Sequence, residues 1–98
     1  MNKDAVIEIL RGHVTALRAR GVQSLYLFGS TARNEAAADS DVDLFFDYDA
    51  ASRFSLIDLA GLKFTIEDLL SREADVMARD SLHPVLRETI LAEAIRIF

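Results

Sequence analysis

Two apolar runs, Leu25-Tyr26-Leu27-Phe28 and Leu44-Phe45-Phe46, enclose a polar stretch from Gly29 to Asp43. That stretch reads Gly-Ser-Thr-Ala-Arg-Asn-Glu-Ala-Ala-Ala-Asp-Ser-Asp-Val-Asp. The arrangement predicts a strand, a tight turn, a short helix and a second strand that carries two acids. Gly29 lets the backbone leave the first strand at a sharp angle and approach a ligand closely. Ser30 opens the short helix, whose free N–H groups favour an anion such as phosphate. Asp41 and Asp43 are two residues apart, so on a strand both carboxylates point to one face. Two hard oxygen ligands side by side suit magnesium, which typically bridges to substrate phosphates. A phosphate cradle beside a two-carboxylate metal site is the equipment of phosphoryl or nucleotidyl transfer.

The rest of the composition narrows the class. Ninety-eight residues, 51% of them hydrophobic, predict one domain spanning 1–98 with a real core. No apolar run approaches the ~18 residues of a membrane span. The start lacks the charged-then-apolar pattern of a signal peptide, and there is no cysteine for a disulfide or thiolate site. The expectation is a soluble cytoplasmic protein. The net charge of −5 argues against gripping nucleic acid through its phosphates, which needs clustered Lys and Arg. It suits a basic protein partner.

Along the chain, Asp4 to Arg20 reads as one amphipathic helix, with Val6, Ile9, Leu10, Val14 and Leu17 at helical spacing. Asn2 or Asp4 caps its start and Gly21 ends it; His13 flanks the apolar stripe. Val22 to Phe28 is a central strand with Tyr26 as a packing residue. The short helix runs from Ser30 to about Ala36, and residues 36–40 form the return loop. Asp41 to Asp47 is the second strand, with Val42, Leu44 and Phe46 on one face and Asp41, Asp43 and Phe45 on the other. Acids at successive positions of one face are costly without a cation. Asp47 and Asp49 read as solvated loop acids. Ser55 and Asp58 form a capping-box-like start to a helix that ends near Leu70. Leu59, Leu62, Ile66, Leu69 and Leu70 face its core, and Gly61 permits close packing on the sheet. Glu73 to Ala78 is a short third strand with Asp75 and Met77 on one side. A neighbouring strand of this kind can bring a third carboxylate to the same metals. Asp80-Ser81 is a turn, His83 a turn residue, and Pro84 the first position of a last helix with Leu86, Ile90, Leu91 and Ala94 inward. Residues 95–98 read as a frayed helix or a short strand.

Gly29-Ser30, ten residues, then Asp41-Val42-Asp43 resembles the signature of the nucleotidyltransferase superfamily related to DNA polymerase β. The chain is similar in size to the smallest branch, the minimal nucleotidyltransferases or MNT antitoxins, which pair with HEPN-domain toxins. The resemblance covers nearly all 98 residues, to the Leu82-His83-Pro84 turn and closing helix. It implies an α+β fold, a small mixed β-sheet flanked by helices. It implies that Ser30 and the backbone after Gly29 hold the terminal phosphates of ATP, with Arg33 nearby. It also implies that Asp41 and Asp43 bind two magnesium ions and that Asp75 is the third carboxylate, holding one metal and accepting the proton of the attacking hydroxyl.

The activity implied is transfer of AMP from ATP to a hydroxyl, a tyrosine, of a cognate HEPN-type toxin, in a hetero-oligomer. The alternative is a non-catalytic antitoxin that neutralises its toxin by covering it. Transfer to a small molecule or RNA is disfavoured, because such relatives carry an added domain for the acceptor and this chain is acidic.

Overall fold

The computed structural model describes residues 1–37 and 39–98; of the predicted return loop, Ala38 lies outside the described residues. The chain begins with a capped helix. The Asn2 side-chain oxygen accepts the Ala5 N–H at 2.9 Å and starts α1, Lys3–Arg11. The helix does not continue to Arg20. The Gly12 N–H bonds back to the Glu8 carbonyl, but the His13 N–H turns to Leu10, and a separate helix, α2, spans Val14–Ala19. Gly12 is the weakest helical position in the run, and the break there still lets Leu10 and Leu17 both reach the core. The His13 ring lies 2.9 Å from the Ile9 carbonyl, so it serves the local backbone at the helix end.

The strands are β1, Ser24–Phe28; β2, Val42–Asp47; β3, Ala74–Ala78; and β4, Ile95–Arg96. They form one mixed sheet in the order β3-β2-β1-β4, so the expected α+β architecture is the one observed. β1 pairs antiparallel with β2 and with β4, while β2 pairs parallel with β3. A parallel pair needs a long crossover; here it contains α4, Leu56–Leu70. The last four residues resolve into a short strand followed by Ile97, which is buried.

Strand alternation divides the side chains between two cores. Leu25 and Leu27 of β1, Val42, Leu44 and Phe46 of β2, and Ala74 of β3 pack with Val6, Leu10, Leu17, Leu62, Ile66 and Leu70 from α1, α2 and α4. Each fully buried aliphatic or aromatic side chain contributes roughly 1.5–3 kcal/mol of transfer free energy, so this face carries most of the stability. Among the described residues, the buried cluster on the opposite face is Phe28, Phe45 and Leu82, flanked by Tyr26, Met77, Ile90, Leu91 and Ala94. Tyr26 stacks on Phe45 with ring centroids 4.7 Å apart, the packing role read from sequence.

Helix α4 starts with a complete capping box. The Asp58 N–H donates to Ser55 Oγ at 3.2 Å, and the Ser55 N–H donates to Asp58 Oδ2 at 2.8 Å. Ser55→Ala removes one of these bonds and leaves an orphan N–H in the first turn. Its expected cost is about 1 kcal/mol, or roughly 4–8 °C in thermal midpoint for a domain of this size; a melting curve checks it. Gly61 does not pack on the sheet as expected. A Cβ there would meet Arg20 Nη1 at 3.1 Å, so its space is used by α2's end.

Two expectations for the C-terminal part also change. Pro84 lies in a turn closed by a Leu86 N–H to His83 carbonyl bond, and α5 spans only Arg87–Glu93. His83 is the turn residue expected, its Nδ1 accepting the Val85 N–H at 3.2 Å. Leu86 precedes the helix and is 53% exposed, whereas Ile90, Leu91 and Ala94 do pack inward. Asp47 is not a free loop acid. It closes β2 and accepts from Arg79 Nε at 2.7 Å and Nη2 at 3.0 Å. The same guanidinium lies over the Tyr26 and Phe45 rings and covers that edge of the smaller core.

Candidate active site

The site is built at the point where β1 ends and β2 begins. Phe28 pairs with Asp43, and Asp43 pairs with Asp75 on the parallel neighbour. Residues in register on adjacent strands share a face and lie roughly 5 Å apart across the sheet. Asp43 and Asp75 are therefore side by side, on the face that carries Phe45 and Met77. Asp41 sits just before β2, not within it, because the first ladder bond on this side is from the Val42 N–H to the Glu73 carbonyl. Asp41 and Asp75 are exposed and Asp43 is half-buried.

Gly29 follows Phe28 with φ of +74°, the left-handed region that favours glycine. A Cβ at this position would collide with the Asp43 carboxylate. The turn and the acid are thus in contact, and glycine is needed for space as well as for conformation. The helix α3 covers only Gly29–Ala32, shorter than the predicted 30–36. Asn34 ends it at φ of +56°, and its Oδ1 accepts the Lys3 N–H at 3.3 Å. A single turn has little macrodipole, since that field sums over aligned peptides. Anion attraction here must come from individual N–H groups and from Arg33, which follows α3 and is exposed.

The electrostatics centre on Asp43. Burial, then the Asp75 and Asp41 charges, push its carboxyl up to about 6, with Arg33 opposing and Glu93 adding to the rise. Arg33 itself is held more firmly in its charged form by hydrogen bonds to Glu35 and then Glu93. Among the described residues, no three His, Cys, Asp or Glu side chains are gathered to cage a metal by themselves. That donor set does not suit a resident ion held by protein alone. It fits magnesium, which keeps several non-protein oxygens and is usually bound through one or two carboxylates plus substrate phosphates.

Glu93 is the participant that the sequence did not signal. From the last turn of α5 its Oε1 accepts the Gly29 N–H at 3.1 Å, and its Oε2 accepts from Arg33 Nη1 at 2.9 Å. In sequence it is one acid near the end of a helical run, 64 residues from Gly29. Nothing local distinguishes it from a solvated helix acid. Of the six site residues read from sequence, Gly29, Arg33, Asp43 and Asp75 are linked by register or contact. Ser30 follows in the turn, and Asp41 acts on Asp43 through its charge.

Comparison with known proteins bears on the same region. The nucleotidyltransferase domain family model matches residues 10–97. A protein of Methanocaldococcus jannaschii, provisionally named a protein adenylyltransferase, is 39% identical over 90 residues, covering 92% of this chain and 95% of the relative. A solved structure of a provisionally assigned minimal nucleotidyltransferase superposes with a TM-score of 0.77 at 38% identity, covering 97% of this chain and 95% of that one. A chain from a complex of tri-AMPylated Shewanella oneidensis HEPN toxin with MNT antitoxin gives a TM-score of 0.66. At 19% identity, over 94% of this chain and 71% of that one, it shows the fold alone. The family match starts inside α1 and ends one residue beyond β4, taking in the whole sheet and both ends of the site, and the chain belongs to the nucleotidyltransferase domain family.

Proposed function

We propose that this protein is a magnesium-dependent protein adenylyltransferase that moves AMP from ATP to a tyrosine hydroxyl of a cognate HEPN-type toxin and so acts as its antitoxin. The observation that carries this reading is the register that sets Asp43 beside Asp75 and opposite Phe28, with the Gly29 turn against the Asp43 carboxylate. The relative named a protein adenylyltransferase supports AMP as the group transferred, and the neighbour described with a tri-AMPylated HEPN toxin supports a HEPN-type protein as acceptor and partner.

In this mechanism Asp41, Asp43 and Asp75, together with substrate phosphates, would hold magnesium, which would supply acidification of the acceptor hydroxyl and charge neutralisation for the leaving pyrophosphate. The Gly29–Ser30 backbone and Arg33 take the terminal phosphates. Asp75, the exposed member of the in-register pair, accepts the proton of the attacking hydroxyl. The hydroxyl oxygen forms a bond to the α-phosphorus in line as the α–β phosphoanhydride bond breaks, and pyrophosphate departs. The chain contributes position and charge.

Two measurements test this. In calorimetry, ATP binds measurably more tightly with magnesium than without it, and equal affinity in both conditions counts against the acid site. Mass spectrometry of a co-expressed HEPN-type partner, incubated with magnesium and ATP, shows a gain of about 329 Da per AMP transferred to a hydroxyl. An unchanged partner mass, with the partner's toxicity still blocked by Asp41→Ala protein, would establish neutralisation by binding alone.

A further inference from the structure

We infer that Glu93 is an internal competitor of the triphosphate: in the free protein its carboxylate occupies the Gly29 N–H and the Arg33 guanidinium, and nucleotide binding displaces it. The inference rests on the nucleotidyl-transfer reading above. Its two oxygens are used separately, one on the turn at 3.1 Å and one on the guanidinium at 2.9 Å. A carboxylate bridging a backbone N–H and an arginine satisfies the same donors, with the same charge-assisted bonds, as two oxygens of a phosphate. Both donors belong to the phosphate-binding set proposed above. A bound triphosphate and the Glu93 carboxylate cannot share the Gly29 N–H, and their like charges repel at that distance.

The surroundings favour exchange. The Glu93 charge also acts unfavourably on Asp43, and these two bonds hold it in place against that repulsion. It lies at the last residue of α5, a seven-residue helix with no fully buried residue and no side-chain cap at its start. A glutamate side chain leaves by rotation about its own bonds, so the helix need not move. Arg33 retains Glu35, at 2.9 Å from its Nε, and stays poised beside the turn when Glu93 departs. Such a competitor lowers apparent affinity in proportion to the time the site is closed.

The test uses the full chain, labelled with ¹⁵N, with a non-hydrolysable ATP analogue and magnesium as probe. Glu93→Gln preserves shape and removes the charge; Glu93→Ala removes the carboxylate and guards against a glutamine that still bonds. Both variants are expected to bind the analogue about tenfold more tightly than wild type, which is ~1.4 kcal/mol. The Gly29 amide resonance should move in wild type when the analogue binds, and should already be displaced in the nucleotide-free variants. Wild-type binding with equal or weaker binding by both variants overturns the competitor role and leaves the site reading standing. A Gly29 resonance that stays unmoved at saturation does the same. If neither wild type nor variants bind the analogue, the site reading itself fails and this inference falls with it.

Discussion

Asp43→Asn should reduce AMP transfer by about 10²–10³-fold or more, the scale seen when one preorganised electrostatic contact is removed, while leaving the metal-free protein at least as stable as wild type. The side chain keeps its size, so packing against the Gly29 turn is unchanged. What is lost is a charge that the fold disfavours without a cation. The Asp43 carboxyl, at about 6 in the folded protein, is raised by burial and then by Asp75 and Asp41. A raised carboxyl binds its proton more tightly folded than unfolded. The Asp43 contribution to stability therefore falls as pH rises from the unfolded value near 4 through about 6, and is level above that. Asp43→Asn lacks this slope. After allowance for solvent screening of a half-exposed group, its advantage above pH 6 should be about 1 kcal/mol and should vanish below pH 4. Thermal midpoints of both proteins across pH 4–8 without magnesium give the comparison. A clear loss of stability in the variant at pH 7 would make Asp43 a structural acid and remove it from the chemistry.

Gly29→Ala should damage both fold and activity. Alanine in the left-handed region costs about 1–2 kcal/mol, and the added Cβ would collide with the Asp43 carboxylate, lying also 3.1 Å from its Cγ and 3.2 Å from its Cβ. Displacing a packed side chain typically costs a further 1–3 kcal/mol or so. The sum of about 2–5 kcal/mol corresponds to a drop of roughly 10 °C or more in thermal midpoint. Transfer should fall even at temperatures where the variant is fully folded, because Asp43 is pushed from its place beside Asp75. The two sites touch, so their effects should not add: part of the Gly29→Ala cost should disappear in an Asp43→Ala background, where the colliding carboxylate is absent. Full additivity in that double-mutant cycle would mean that the turn and the acid do not meet.

Sequence alone determined the features set by short-range geometry. Period-two alternation assigned Val42, Leu44 and Phe46 to one face of β2 and Asp41, Asp43 and Phe45 to the other, and the structure keeps that division for the apolar residues of the two cores while placing Asp41 just before the strand. Side-chain chemistry marked Ser55 and Asp58 as a cap, and glycine after an apolar run marked the turn at Gly29. The family signature is legible for the same reason: it lies within Gly29–Asp43, where spacing along the chain is nearly spacing in space.

The tertiary structure decided whatever joins distant segments. No pattern in residues 73–78 says that β3 runs parallel to β2 with Asp75 level with Asp43, because register is chosen by cross-strand hydrogen bonds and by how α4 returns the chain. Asp47 resembled a loop acid until Arg79, 32 residues later, was folded against it. The break at Gly12 is likewise invisible to periodicity, because Leu10 and Leu17, seven residues apart, share a face in an unbroken helix as well. Glu93 is the clearest case. Its role depends on the end of α5 meeting the start of α3, a contact made when apolar Ile90, Leu91 and Ala94 settle on the second face of the sheet. An acid's chemistry depends on which charges and donors surround it, and those neighbours come from packing, not from adjacency in the chain.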